Sequence, residues 1–178
     1  MYKVLIFGDS LVQKLPTDHC SEKLKFRVDC MPKIKVSEVV DGERLRDGYN
    51  NIFTKALEES GCDYCVICLG TNDVNASIKD VVSNLNELCR ICTKKTVVPV
   101  RVFLHGANDK FNTLYEESVG NLNAYQNADE EEDAVFCEYF LGLAAGKSDY
   151  LEKDGIHLTR LGRKKFVEDI VATIMEVL

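Results

Sequence analysis

A chain of 178 residues is long enough for one domain with a full hydrophobic core. With 46% hydrophobic and 29% charged residues, its composition is that of an ordinary globular protein. A net charge of -7 argues against nucleic acid as a partner, and no apolar run approaches the roughly 20 residues that cross a bilayer. The N-terminal residues enter an apolar strand directly, without the features of a signal peptide, so we expect an intracellular, cytoplasmic protein.

Strand and helix patterns alternate along the chain. Apolar runs rich in β-branched residues predict strands at residues 2–8, 24–30, 63–70, 97–106 and 134–140. Helical spacing of apolar residues predicts helices at 50–60, 77–92, 114–126 and 160–178, the last capped by Thr159. Loops are expected at 16–23, 41–50 and 141–153, and the acidic run 129–133 is expected to be a solvated loop.

This alternation predicts an α/β protein in which a parallel sheet lies between two layers of helices. Some of the strand sequences are almost continuously apolar, which is typical of strands covered on both faces. We therefore expect a single domain over residues 1–178 with a three-layer α/β/α architecture. Its sheet is expected to be a flavodoxin-like, five-stranded parallel sheet of order 2-1-3-4-5.

A serine follows the first strand, in the motif Gly8-Asp9-Ser10-Leu11. That position places its hydroxyl at the C-terminal edge of the sheet, where backbone N–H groups can face a developing negative charge. Far downstream, Asp154-Gly155-Ile156-His157 puts an aspartate three residues before one of only three histidines. Singly, Ser10 could be a helix cap and His157 a surface histidine. Together they predict a nucleophile, a base and an orienting carboxylate: Ser10, His157 and Asp154.

The segment Gly70-Thr71-Asn72-Asp73 follows the third strand. In a sheet of order 2-1-3-4-5, strands 1 and 3 are neighbours, and the crevice opens between their C-terminal ends. Ser10 and Asn72 are therefore predicted to converge, with the Asn72 amide donating to an oxyanion, although the motif alone would also suit a plain turn. Gly70 and His105 are predicted to contact the substrate; His105 could equally be a polar residue that ends the fourth strand.

These residues resemble the sequence blocks of the SGNH hydrolase superfamily, which includes the GDSL-type esterases and lipases. Three of the four blocks occur in order, and the resemblance covers essentially the whole chain: Gly8-Asp9-Ser10, Gly70-Thr71-Asn72-Asp73 and Asp154-Gly155-Ile156-His157. It implies Ser10 as the nucleophile, His157 as the base and Asp154 as its partner. Asn72 and the Ser10 backbone N–H would donate to the oxyanion. No metal and no organic cofactor is implied, because this chemistry needs only side chains and water.

The second block departs from the family pattern. Many members have a glycine in the turn after the second strand, and its N–H is a third oxyanion donor. Here the matching stretch, residues 31–37, reads MPKIKVS, so Lys33 stands where the glycine is expected, with Gly42 as the alternative. Lysine keeps the backbone N–H but adopts a positive φ less readily. The resemblance therefore predicts an oxyanion hole of Ser10, Lys33 and Asn72.

Two functions follow from the resemblance. The first is a serine esterase that hydrolyses a small acyl or acetyl ester through an acyl-serine intermediate, working as a monomer or a homodimer. The second is a catalytically impaired binding module on the same scaffold. Retention of Ser10, His157, Asp154 and Asn72 favours the enzyme, and the acidic chain argues against a module that binds RNA.

The eight cysteines allow three interpretations. Cys62 and Cys65, with Cys89 and Cys92, have the spacing of two halves of a zinc site. The second pair also has the spacing of a redox motif, but it lies late in a predicted helix, where the helix dipole opposes a thiolate. Because both pairs lie in apolar strand and helix sequence, we predict buried free thiols and no metal.

Overall fold

The computed structural model describes residues 1–45, 51–73, 75–102, 135–137, 149–155 and 157–178. Within these ranges, five strands form one parallel sheet of order β2-β1-β3-β4-β5. The strands are β1 Tyr2–Gly8, β2 Leu24–Cys30, β3 Tyr64–Cys68, β4 Val98–Val102 and β5 Val135–Cys137. The strand order and the α/β architecture predicted from the sequence are confirmed.

The same ranges contain four α-helices: α1 Val36–Leu45, α2 Ile52–Ser60, α3 Ile78–Lys94 and α4 Arg160–Val177. The Thr159 hydroxyl accepts a hydrogen bond from Gly162 N–H at 3.0 Å, which confirms the predicted cap of α4. None of the helices in the described ranges is both long and apolar enough to cross a membrane. The predicted helix at 114–126, the acidic run at 129–133 and most of the loop at 141–153 lie outside the described residues.

Helix α1 is the element that the sequence prediction missed, since residues 31–37 were expected to form a turn and 41–50 a loop. Residues 36–45 are instead helical. Its first residue, Val36, is fully buried together with Val39 and Val40. β-branched residues and the internal Gly42 both have low helix propensity, so burial of this valine face, and not local preference, stabilises the helix.

The sheet is covered on both faces because side chains of alternate residues point in opposite directions. Val4 and Ile6 of β1 pack with α4 on one face. Leu5 and Phe7 pack with α1, α2 and α3 on the other. Helix α4 is anchored by four buried side chains at helical spacing, each contributing roughly 1.5–3 kcal/mol through burial: Phe166, Val167, Ile170 and Ile174. The start of α4, next to His157, is thereby fixed against the sheet.

The C-terminal ends of the first three strands are aligned. Gly8 pairs with Cys30 of β2 and with Cys68 of β3. The residues that follow these three strands therefore emerge side by side at one edge. The chain leaves β1 on the α4 side, where Leu11 and Val12 are buried, and continues from β3 to α3 on the opposite side. This divergence opens the crevice predicted for a doubly wound sheet.

Candidate active site

Ser10 lies at the turn that ends β1. Gly8 is required there, because a Cβ atom on it would lie 2.7 Å from both the Cys68 carbonyl oxygen and a methyl carbon of Val12. Ser10 then begins a short 3-10 helix, Ser10–Val12, whose Leu11 and Val12 are buried. The serine itself remains partly exposed. Because Leu11 and Val12 are buried, the serine that precedes them is held at the surface of the crevice.

Asp9 is buried beneath this turn, with 0% of its surface exposed. Its Oδ1 accepts a hydrogen bond from Leu11 N–H at 3.1 Å and so caps the 3-10 helix. Among the described residues, no partner with hydrogen-bond geometry faces its Oδ2 or the nearby Thr71 hydroxyl. Burial raises the pKa of Asp9 from 3.8 to about 6, against the opposing influence of Leu11 and Thr71. The carboxyl that shapes the serine turn is therefore destabilising when ionised.

We expect Asp9→Asn to stabilise the protein increasingly between pH 4 and pH 7. The folded-state pKa of Asp9 is raised to about 6, so the folded protein favours the protonated carboxyl. The stability that the protonated carboxyl provides is fully present below about pH 4 and is lost as the pH rises through 6. The full loss is about 3 kcal/mol. Asparagine keeps the acceptor for Leu11 N–H and offers an amide donor to Thr71, but carries no charge. Thermal unfolding should show the melting-temperature difference from wild type growing by about 6–12 °C over this range. A difference that does not change with pH would contradict the expectation.

His157 lies in a tight turn that precedes α4. Gly155 in this turn has a φ of +67°, a value that glycine adopts readily. Glu152 N–H donates to the His157 carbonyl at 2.8 Å, and Thr159 N–H to the Tyr150 carbonyl at 2.9 Å. These bonds close the turn and set the backbone position of the histidine.

Ser10, His157 and Asp154 meet in one chain of contacts. The Ser10 Oγ lies 3.2 Å from His157 Nε2, across 147 positions of sequence. On the other side of the ring, His157 Nδ1 contacts Asp154 Oδ2, while His157 N–H donates to Asp154 Oδ1 at 3.0 Å. The histidine and aspartate side chains are 49% and 45% exposed. A contact this exposed adds little to stability, so its consequence is orientation of the imidazole.

Asn72 contacts the second block. Gly70 before it has a φ of +118°, a backbone conformation essentially restricted to glycine, which turns the chain out of β3. The Asn72 Nδ2 then donates to two backbone carbonyls, at 3.0 Å to Pro32 and at 2.9 Å to Ile34. A side-chain amide has two N–H bonds, and both are directed at the second block in this conformation.

Lys33 lies between these two acceptors, in a turn closed by a 3.1 Å hydrogen bond from Ile34 N–H to the Met31 carbonyl. Three non-glycine residues in the described ranges have a positive φ, and Lys33 is not one of them. The turn thus forms without glycine. The Pro32–Lys33 peptide is trans, so Lys33 N–H points away from the Pro32 oxygen and away from the Asn72 amide.

The predicted site residues therefore fall into two groups. Ser10, His157 and Asp154 are in mutual contact. Asn72 and the turn of Lys33 are joined to each other, next to the end of β1, where Met31 N–H donates to the Gly8 carbonyl at 2.9 Å. His105 lies outside the described residues.

Two carboxylates near the site have structural roles that the sequence prediction missed. Asp9 caps the serine turn, and Asp73 accepts a hydrogen bond from Val36 N–H at the start of α1. The residue before α1 is Lys35, whose side chain has no hydrogen-bond acceptor and so cannot cap the helix. The cap of α1 therefore comes from a side chain in another segment. Recognising the valine spacing of α1 would have revealed that need.

The four cysteines of the paired motifs are buried in the core between the sheet and helices α1 to α3. Cys65 and Cys92 interact through their thiols, and burial raises the pKa of the Cys65 thiol well above its usual value. The prediction of buried free thiols is confirmed for Cys62, Cys65, Cys89 and Cys92, and Cys68 is a further one. Across the described part of the chain, no three His, Cys, Asp or Glu side chains are arranged to hold a metal ion.

Comparisons with known proteins agree with this geometry at the level of the fold. No family model and no curated protein matches the sequence. Among solved structures, a GDSL-like lipase of Bacteroides thetaiotaomicron is similar, with a TM-score of 0.74 at 16% identity over 99% of this chain and 89% of that one. The lipase/acylhydrolase of Enterococcus faecalis has a TM-score of 0.69 at 17% identity over 100% and 97%.

A third similar structure is the psychrotrophic esterase EstA of a Pseudoalteromonas species, inhibited by monoethylphosphonate. It has a TM-score of 0.65 at 16% identity and covers 99% of this chain and 98% of its own. The chain therefore has the fold of the SGNH hydrolases, as the sequence blocks predicted. At such identities the likeness defines the fold alone, and activity has to be argued from the site.

Proposed function

We propose that this protein is a serine esterase, which hydrolyses a small carboxylic ester, with a short acyl or acetyl group, through an acyl-Ser10 intermediate. One observation carries the proposal: the Ser10 hydroxyl lies 3.2 Å from a histidine whose other ring nitrogen contacts an aspartate. This arrangement supplies a nucleophile, a base that takes its proton and a carboxylate that orients the base. The fold supports it, because the similar proteins include a lipase, an acylhydrolase and an esterase.

In the proposed reaction, His157 Nε2 takes the Ser10 proton as Oγ bonds to the ester carbonyl carbon. The resulting oxyanion collapses, the C–O bond to the alcohol breaks, and the alcohol leaves with the proton from His157. Water then gives a proton to His157 and adds to the acyl carbon. A second collapse returns the proton to Ser10 Oγ and releases the carboxylic acid. Asp154 keeps Nδ1 protonated and Nε2 facing Ser10 throughout.

We infer that the oxyanion is bound by the backbone N–H groups of Ser10 and Lys33 and by the Asn72 amide. Neither of the two backbone N–H groups donates to any residue in the described ranges, so both are available. In this conformation the Lys33 N–H points away from the Asn72 amide, so the two could bind one oxyanion only after Asn72 releases the Pro32 carbonyl. Each such donor typically contributes about 3–4 kcal/mol to the transition state.

The remaining features of the proposal concern the surroundings of the site. Gly70 and His105 would line the pocket for the substrate, and the reaction needs no metal or organic cofactor. The chain would act as a single domain, as a monomer or homodimer, inside the cell. A reducing compartment suits its cysteines, seven of which are free thiols in the described ranges.

The second candidate function is a catalytically impaired binding module. One observation favours it: both N–H bonds of Asn72 are engaged with the second block, so the oxyanion hole is not open in this conformation. An impaired protein would keep the pocket and bind an ester-like ligand without turning it over.

A panel of p-nitrophenyl esters, from acetate to decanoate, separates the two candidates. We expect turnover of the short esters, falling as the acyl chain lengthens beyond the pocket. Saturable binding of the esters without turnover would support the binding module. Absence of both would contradict the proposed function altogether.

A further inference from the structure

The Asp9 side chain closes a turn around the serine. Its Oδ1 accepts a hydrogen bond from the N–H of Leu11, two residues on, so Ser10 is the residue enclosed by this Asx turn. The Asp9 carbonyl also accepts from Val12 N–H at 3.1 Å. Two hydrogen bonds to one aspartate thus fix the backbone that carries the Ser10 hydroxyl.

The same aspartate is joined to the two strands that flank β1. Asp9 N–H donates to the carbonyl of Cys68, the last residue of β3, at 3.2 Å. On the other side, the thiol of Cys30, the last residue of β2, donates to the Asp9 carbonyl at 3.2 Å. The position of Ser10 relative to the sheet is therefore set through Asp9.

One polar atom of Asp9, Oδ2, is left over from these contacts. It is buried, as is the neighbouring hydroxyl oxygen of Thr71, and in the described part of the chain neither oxygen has another partner. One hydrogen placed between the two oxygens satisfies both. It is the hydroxyl hydrogen if Asp9 is ionised, and a proton on Oδ2 if Asp9 is neutral.

The surroundings of Asp9 favour the neutral form. The residue is fully buried, and Asp73 adds a like charge from the segment that follows β3. The Cys30 thiol on the β2 side is itself kept neutral, because burial raises its pKa, and His157 lies on the far side of Ser10. Among the described residues, no cation forms an ion pair with Asp9. An ionised carboxylate is costly in such a place, in agreement with a pKa raised to about 6.

We propose that Asp9 is a positioning residue for the nucleophile: as a neutral acid it donates from Oδ2 to the Thr71 hydroxyl and holds the Ser10 turn against the end of β3. When the proton leaves, an unpaired charge lies beneath the turn. The turn then relaxes towards water, and the Ser10 hydroxyl moves out of its 3.2 Å contact with the histidine. The inference deepens the proposed esterase function and rests on it.

The first test is the ratio of the kcat of Asp9→Asn to that of wild type, measured on p-nitrophenyl acetate from pH 5 to pH 8. Asparagine keeps the acceptor for Leu11 N–H and gives Thr71 a permanent N–H donor, so it imitates the neutral acid. Wild type alone ionises near pH 6. We expect the ratio to be near one at pH 5 and about three- to tenfold at pH 8, since small misplacements of a reacting group have effects of this size.

The value at pH 8 separates a loosened turn from a simple effect of charge on the base. An ordinary imidazole is neutral at pH 8, so a negative charge that only favoured its protonated form no longer affects the rate there. A misplaced serine still does. A ratio that rises near pH 6 and returns to one by pH 8 would therefore contradict the inference.

Two further variants remove the contacts. Asp9→Ala deletes both carboxyl oxygens and should lower kcat by about 10- to 100-fold at pH 5, with KM changed less than about threefold. Thr71→Val keeps the shape of the side chain, removes its hydroxyl and should lower kcat by about three- to tenfold. It keeps the inference testable if Asp9→Ala does not fold.

Each of these variants has a matched control. Glu43→Ala removes a carboxylate that accepts from Thr54 N–H at 2.9 Å in the first turn of α2. Thr93→Val removes a hydroxyl that donates to the Cys89 carbonyl at 3.0 Å in α3. These contacts lie outside the serine turn, so both controls should keep kcat and KM within twofold of wild type. Equal losses in the controls would mean general destabilisation and would overturn the inference.

Carbon-13 NMR of the aspartate carboxyl groups gives a readout that does not need turnover. The Asp9 signal, assigned by its absence from Asp9→Asn, should titrate near pH 6 in wild type. In Thr71→Val the midpoint should rise by at least about half a pH unit, because the Thr71 hydrogen bond lowers the pKa of Asp9. A wild-type midpoint below about pH 4.5, or no response to Thr71→Val, would overturn the inference.

Failure of the inference and failure of the esterase function give different results. A kcat ratio that is independent of pH, or an Asp9→Ala variant with more than half of the wild-type kcat, rejects the role of Asp9 and leaves the esterase function standing. An inert wild type rejects the esterase function, and with it any role of Asp9 in catalysis, whatever the titration shows.

Discussion

Ser10→Ala is expected to lower kcat/KM for p-nitrophenyl acetate by about 10⁴- to 10⁶-fold, close to the uncatalysed background. The Ser10 Oγ is the atom that lies 3.2 Å from His157 Nε2, and alanine removes it without a change in the backbone. Leu11 and Val12, which are buried below it, keep the turn in place. Steady-state hydrolysis at neutral pH checks the expectation.

The matched control for this variant is Ser60→Ala. The Ser60 hydroxyl donates to the Leu57 carbonyl at the end of α2, outside the candidate site. It should retain wild-type kcat and KM. If Ser10→Ala keeps more than about a tenth of wild-type activity, another residue is the nucleophile and the proposed mechanism is wrong.

The second large effect is expected at the base. His157→Ala should lower kcat by about 10⁴-fold or more, because among the described residues His157 is the side chain that hydrogen-bonds Ser10 Oγ and can take its proton. Asp154→Asn should lower it by about 10²- to 10⁴-fold. The asparagine amide would offer an N–H where His157 Nδ1 needs an acceptor, and this favours the wrong tautomer. Pre-steady-state measurement of p-nitrophenol release should show the loss in the acylation step.

His19→Asn is the control for the histidine variant. His19 is exposed and has a φ of +59°, a left-handed conformation that asparagine tolerates well. Its replacement should change neither kcat nor KM. Equal losses in His19→Asn and His157→Ala would mean that the His157 effect comes from something other than a base at Ser10.

Much of the fold, and the meeting of Ser10, His157 and Asp154, could be predicted from the sequence, because both depend on patterns that are independent of tertiary detail. Apolar runs that alternate with helical spacing specify a parallel sheet, and the sheet order then puts the end of β1 next to the end of β3. The buried face of α4 fixes the start of that helix and so the turn that carries His157. The fold therefore brings the serine that follows β1 close to the histidine that precedes α4.

The parts that could not be predicted depend on tertiary contacts. Helix α1 has valines and an internal glycine, so only its packing against the sheet makes it helical. The hydrogen bonds of Asn72 to Pro32 and Ile34, and of Asp73 to Val36, join segments 37 to 40 positions apart in the sequence. The raised pKa of Asp9 follows from complete burial, which a residue between a strand and a turn does not reveal in sequence.

The most direct test of a nucleophilic Ser10 is covalent labelling with a fluorophosphonate, because its phosphorus is attacked by an activated serine with loss of fluoride. The proposed function predicts one adduct per chain, found by mass spectrometry on Ser10. Labelling should disappear in Ser10→Ala and slow at least a hundredfold in His157→Ala. An unmodified wild-type protein under excess reagent, or an adduct on a different residue, would contradict the central claim that His157 activates Ser10.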